Sequence, residues 1–168
     1  EKSPVNALYR NEGNWRFTDV TKQSGLGDPG YGLGVAVCDY DNDGDQDVYL
    51  NNYGPNVLYR NNGDGTFADV TRQAGVDTGF KVGAGACFLD MDGDGDADLY
   101  ASNYLKFSFD KHVSSMGDGF PSYANPRNYR PLPDTLYRNN GDGTFTDVSK
   151  SSGVGNHAGW GMGTVCSD

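Results

Sequence analysis

Leucine, isoleucine and methionine are scarce in these 168 residues, and no apolar run reaches the roughly 18 residues that a membrane-spanning helix requires. Basic residues are also in the minority: 13 Lys and Arg stand against 23 Asp and Glu, for a net charge of −10. No basic surface is therefore expected, and nucleic acid is excluded as a partner. Histidine occurs only at His112 and His157, and no Gly-x-Ser-x-Gly elbow is present. Signals for catalysis are thin, and the expectation is a non-enzyme. No Asn-x-Ser/Thr sequence occurs, so N-glycosylation by that route is not expected. Glu1 to Pro4 lack the basic and apolar regions of a signal peptide, which places any export signal outside this chain or among residues already removed. Cys38, Cys87 and Cys166 lack metal-ligand spacing, and each sits beside an apolar run that leads into an acidic segment. They read as buried, inert thiols, with a single disulfide as the alternative.

What the chain does contain is glycine (25), tyrosine (11) and phenylalanine (8), the profile of short strands joined by tight turns. It is also repetitive. Asn6-Ala-Leu-Tyr-Arg10-Asn11 returns as Asn56-Val-Leu-Tyr-Arg60-Asn61 and as Asp134-Thr-Leu-Tyr-Arg138-Asn139. A turn and a second strand follow each copy: Arg16 to Val20, Thr66 to Val70 and Thr144 to Val148. Asn62-Gly63-Asp64-Gly65 and Asn140-Gly141-Asp142-Gly143 supply the positive-φ positions of hairpin turns. A glycine-spaced strand precedes each acidic segment, over Gly32 to Cys38, Gly83 to Leu89 and Gly161 to Cys166, and another strand leaves it at Asp47 to Asn51 and Asp98 to Ser102.

With these strands labelled A to D, the pattern predicts an all-β propeller of four-stranded antiparallel blades, about three blades' worth in one domain over 1–168. Residues 1–31 hold strands C and D of one blade. A full blade occupies 32–81, with an acidic loop at 39–47. A second occupies 82–159, with an acidic loop at 90–98 and an insert at 105–132, and 160–168 begin another. Three blades cannot close a ring. The expectation is part of a longer, seven-bladed propeller, or open edges buried against partners.

Asp39, Asp41, Asp43, Asp45 and Asp47 surround Gly44, and Asp90, Asp92, Asp94, Asp96 and Asp98 repeat the spacing around Gly95. Carboxylates at positions 1, 3, 5 and 9, glycine at 6 and a carbonyl at 7 match an all-oxygen shell for calcium. The carbonyl would come from Asp45 or Asp96. Zinc and copper are disfavoured without His or Cys ligands, and magnesium resists that much dehydration. An EF-hand would need Glu at position 12, where Leu50 and Ala101 stand.

Gly32 to Leu50 and Gly83 to Tyr100 resemble the FG-GAP or VCBS-type repeats of integrin-like β-propellers. The Leu-Tyr-Arg-Asn and Asn-Gly-Asp-Gly-Thr-Phe segments are similar to those of secreted proteins that couple such repeats to an ASPIC/UnbV-type module. The resemblance implies calcium held between the innermost strand and its neighbour, in an extracellular, cell-surface or periplasmic setting. Asp168 matches the family's first ligand only, as a partial third site.

The insert gathers Phe107, Phe109, His112, Phe120, Tyr123, Arg127, Tyr129 and Arg130. Such residues suit binding of a protein or glycan, although a loop that shields apolar surface would also use them. Strand alternation sets the A–B loops and C–D hairpins on one face and the insert on the other. Three functions are expected: a calcium-binding module for adhesion or ligand binding, a subunit that assembles with further copies of itself, or part of a polysaccharide-acting enzyme. His112 and Tyr123 would serve the last.

Overall fold

The computed structural model describes residues 5–77, 79–112, 114–117 and 119–167. The fold is all-β. A hairpin of β1 (Tyr9–Gly13) and β2 (Arg16–Asp19) is followed by a helical turn, α1 (Thr21–Ser24). The first complete blade comprises β3 (Tyr31–Cys38), β4 (Asp47–Gly54), β5 (Val57–Asn61) and β6 (Phe67–Asp69), followed by α2 (Thr71–Ala74). The second opens with β7 (Lys81–Leu89) and β8 (Asp98–Asn103). The insert then contributes a small hairpin of β9 (Ser115–Gly117) and β10 (Phe120–Ser122), and β11 (Leu132–Pro133). Strands β12 (Thr135–Asn139) and β13 (Phe145–Asp147) complete the blade, and α3 (Ser149–Ser152) and β14 (Ala158–Gly159) follow.

The two blades merge into one antiparallel sheet because β4 pairs with β7, Tyr53 opposite Val82 and Gly54 opposite Lys81. The curled eight-stranded sheet is consistent with a partial propeller. Packing between blades explains why the strands are apolar on both faces. Tyr49 and Leu58 of the first blade pack with Leu99, Tyr137 and Phe145 of the second. Their neighbours Val48, Leu50 and Tyr59 face the other way, against Leu8 and Leu26 beside the N-terminal hairpin. Tyr59 and Tyr137 thus pack on the preceding unit. Tyr59 and Tyr137 are buried, while Tyr9, with no earlier unit in this sequence, is 57% exposed. Of the motif arginines, Arg10 pairs with Glu12 at 2.8 Å.

The glycine spacing of the inner strands is a packing requirement. A Cβ on Gly34 would fall 2.0 Å from the Ala84 carbonyl oxygen, and one on Gly85 would fall 2.6 Å from the Thr164 amide nitrogen. Neighbouring inner strands touch backbone to backbone. That approach corrects the reading of the cysteines as separate thiols, since Cys87 and Cys166 form a disulfide across 79 residues and only Cys38 remains free. No strand is assigned over Gly161–Cys166, against expectation. The ladder partner that β4 gives β3, and β8 gives β7, has no counterpart after Cys166 in this sequence. The D–A links also hold more structure than their sequence suggested. The side chains of Asp19, Asp69 and Asp147 accept from the amides of Thr21, Thr71 and Ser149 at 3.0, 3.0 and 2.9 Å. Each link then makes one helical turn, ended by Gly25, Gly75 or Gly153 at positive φ. No helix among the described residues is long and apolar enough to cross a membrane.

Replacing Gly34 with Ala is expected to cost about 1–3 kcal/mol, the usual range for overpacking a site whose neighbour is backbone. Gly159→Ala, where a Cβ meets nothing within 4 Å, should be near neutral. Urea unfolding of both variants checks the contrast, and equal midpoints would refute the close-approach account.

Candidate functional site

The acidic loops join β3 to β4 and β7 to β8, and their own backbone shapes them. Asp39 accepts from the amides of Asp43 at 3.1 Å and Gly44 at 2.9 Å; Asp90 accepts from those of Gly93, Asp94 and Gly95 at 2.8, 3.2 and 3.1 Å. Asp43 and Asp94 each accept from the amide two residues on, both at 2.9 Å. Gly44 and Gly95, at φ 95° and 91°, make the reversal that a side chain would resist. Carboxylate oxygens of Asp39, Asp41 and Asp43 lie within 4.8 Å of one another, as do those of Asp90, Asp92 and Asp98.

Asp47 and Asp98 close the loops from inside. Asp47, fully buried, accepts from the Tyr40 amide at 3.1 Å through one oxygen and from the Asn61 amide at 2.7 Å through the other. Asp98 repeats this with Met91 at 2.9 Å and Asn139 at 2.7 Å. Such a carboxylate still has lone pairs for a cation. Asp45 and Asp96 are turned elsewhere. A Cβ on Gly63 would meet Asp45 Oδ2 at 2.7 Å, and one on Gly141 would meet Asp96 Oδ2 at 2.7 Å, so these side chains abut the C–D hairpins and leave only their carbonyls for a metal.

The residues fit a hard cation on two grounds. Every donor is oxygen, and Asp41 Oδ1 is buried without a hydrogen-bond partner. Electrostatics agree. Burial pushes the Asp47 carboxyl up to about 6, against the hydrogen bonds from Asn61 and Tyr40 that lower it. Asp41 is raised by burial and by the charge of Asp43, and Asp92 by desolvation and by the charges of Asp94 and Asp98. A cation at either loop would relieve all of these. Asp168 lies outside the described residues.

One participant escaped the sequence reading. The asparagine ending each Tyr-Arg-Asn segment is a junction: its amide NH binds Asp47 or Asp98, its Oδ1 accepts from Gly63 or Gly141 at 3.0 Å, and its Nδ2 donates to Gln46 O at 3.1 Å or Ala97 O at 3.1 Å. Asn139 Nδ2 also reaches the Tyr40 carbonyl at 2.8 Å, and Asn42 Nδ2 donates to Asp96 Oδ1 at 2.8 Å. Recurrence immediately before Asn-Gly-Asp-Gly was the available signal. The two loops are therefore bonded to each other.

The insert leaves β8 at the end opposite the acidic loop, about 17 Å away for a six-residue strand. Its stem is held by a bridge between Leu105 and Pro131 and by Lys106 N donating to Arg130 O at 2.8 Å. Phe107 and Phe109 pack edge-on to Tyr53, with centroids 6.0 and 5.8 Å away, over the junction of β4 and β7. Tyr129 stacks edge-on to Phe107 at 5.5 Å, and its hydroxyl lies 3.0 Å from His112 Nδ1. Phe107, Phe109, Tyr123 and Tyr129 share one cavity of about 500 Å³, and Arg130 lines a second of about 700 Å³. Phe120 and Arg127 are exposed and line neither.

A family model described as an FG-GAP-like repeat matches residues 3–50 and again residues 39–101. A search of curated proteins finds no match.

Asp47, raised in the folded state, makes the metal-free fold more stable as pH falls through 6 and less stable as pH rises through it. A cation must displace that proton, so its affinity follows the opposite course. The increment in urea midpoint given by calcium should therefore shrink between about pH 7.5 and about pH 5. A constant increment would contradict a buried titrating ligand.

Proposed function

The chain belongs to the FG-GAP-like repeat family, and on that premise we propose that it is an extracellular binding module whose blades are stabilised by calcium in the two acidic loops. Repeats of this family often bind calcium, are typically extracellular and are mostly non-enzymatic. The observation that carries the reading is the buried, unpartnered Asp41 Oδ1 inside the cluster of Asp39, Asp41 and Asp43, with a second three-carboxylate cluster, Asp90, Asp92 and Asp98, in the equivalent loop one blade later. Asp39, Asp41, Asp43 and Asp47 hold one ion, Asp90, Asp92, Asp94 and Asp98 the other, with the carbonyls of Asp45 and Asp96 completing each shell. The ion supplies charge compensation that fixes each A–B hairpin, and its binding energy becomes folding energy. The Cys87–Cys166 disulfide supports an oxidising compartment, where free calcium is also high. Adhesion or ligand binding falls to the insert face, away from the metal.

A second reading rests on β3, whose Leu33, Val35 and Val37 are 55–61% exposed. Copies assembling edge to edge would cover it, and light scattering would then show masses rising with concentration.

Calorimetric titration should give two calcium ions per chain, and one for Asp41→Asn or Asp92→Asn. At a calcium concentration 100 times Kd, one site contributes about 2.7 kcal/mol, which either variant should forfeit. Identical melting of the native chain in calcium and in chelator would refute the metal reading.

A further inference from the structure

The two insert cavities share a wall formed by Val82, Leu105, Phe107 and Tyr129, so they are halves of one cleft. Their volumes, about 500 and 700 Å³, fall in the range of small-ligand sites. The halves differ in chemistry. The first is walled by aromatic rings, and Phe109 and Tyr123 remain 74% and 96% exposed there. The second carries Lys81, Lys106, Lys111 and Arg130, and no carboxylate among its described lining residues. Four of the chain's 13 Lys and Arg thus converge on one cleft of a molecule with net charge −10.

Local structure places those cations. The stem bond between Lys106 N and Arg130 O sets these residues side by side, and Lys81 Nζ donates to Thr135 Oγ1 at 2.8 Å. The neighbouring Asp110 sits next to Lys111 in sequence, is exposed, and is engaged by the Ser108 side chain. It attracts Lys111, and Asp147 and Asp134 act on Lys81, so Lys106 and Arg130 are the cations that the cleft most directly offers a ligand. The acidic loops lie at the other end of β8, so they neither cancel this charge nor reach a ligand bound here.

Resting on the reading of the chain as an extracellular binding module, we propose that this cleft binds an acidic polysaccharide. Sugar faces lie on Tyr123 and Phe109, and carboxylate or sulfate groups pair with Lys106, Lys111 and Arg130. The apolar CH face of a pyranose matches an exposed ring, and charge-assisted hydrogen bonds supply direction. A neutral glycan would leave the cations unanswered. An acidic peptide would answer them but leave the flat rings without a matching surface.

The test is calorimetry on the calcium-loaded full chain with four probes: hyaluronan hexasaccharide, heparin hexasaccharide, neutral chitohexaose and hexaglutamate. Binding of at least one acidic glycan, weakened about tenfold or more by Tyr123→Ala and by Lys106→Ala with Arg130→Ala, supports the proposal. Tighter binding of heparin than of hyaluronan, which carries carboxylates and no sulfate, assigns the preference to sulfate; the reverse order assigns it to carboxylate. Equal binding of chitohexaose, binding of hexaglutamate that Tyr123→Ala leaves unchanged, or no binding of either acidic glycan overturns it. Calcium-dependent melting, run on every variant, reports folding and also separates the two readings. An intact calcium increment without glycan binding refutes the cleft alone, whereas a missing increment in the native chain refutes the module reading.

Discussion

One buried carboxylate organises each blade. Asp47 and Asp98 take one backbone amide from the start of their own acidic loop and another from the asparagine that ends the third strand of the blade. A carboxylate withdrawn from water is costly unless its oxygens are satisfied, and these two hydrogen bonds are the compensation the protein itself provides. The value of about 6 for Asp47 shows that burial still outweighs them. The remaining imbalance grows with every acidic neighbour in the loop. Among the described residues no cationic side chain is hydrogen-bonded there; Arg60 offsets part of the charge on Asp41 through space, and an external cation would offset the rest.

The same asparagine carries the constraint onward. Through Asn139 the second blade holds the Tyr40 carbonyl of the first acidic loop, and Tyr40 itself packs on Phe145 with centroids 5.5 Å apart. Through Asn42 the first loop holds the second at Asp96. Order imposed on one loop is therefore transmitted to the next blade by direct bonds, in addition to the apolar contacts of Tyr49 and Leu58 with Leu99 and Tyr137. At the opposite end the connection between blades is made differently, by the short β4–β7 ladder and the aromatic cluster of Tyr53, Phe80, Phe107 and Phe109.

Much of this was legible in the sequence because a blade repeats its constraints. Glycine spacing, Asn-Gly-Asp-Gly hairpins and the aspartate ladder each occur more than once, so strand order, the sheet and the acidic clusters followed from period alone. Contacts that do not repeat were not legible. Cys87 meets Cys166 through a backbone approach that no local pattern records; Ala36 occupies the corresponding position in the first blade, while Cys38, two residues on, stays free. Asn61 and Asn139 did repeat, yet their role depends on a carboxylate 14 and 41 residues away, and spacing does not announce a side chain that bonds in three directions. The one-turn helices fell below the length at which periodicity is detectable, and only the Asp-Val-Thr/Ser capping residues marked them.

The insert shows why fold and function separate along the blade. Seven of the eight residues that the sequence singled out there divide by what holds them. Phe107, Phe109 and Tyr129 are tied to the blade by ring contacts, Tyr123 and Arg130 project into the cleft those contacts create, and Phe120 and Arg127 stand apart. Shielding and binding are thus successive layers of one loop: the rings nearest the β4–β7 junction cover apolar surface, and in doing so present the outer residues at fixed positions. A carboxylate-rich end and a lysine-rich end can coexist on one short strand because they are separated by more than the screening length of roughly 8 Å at physiological salt. The blade is then a spacer between opposite charges.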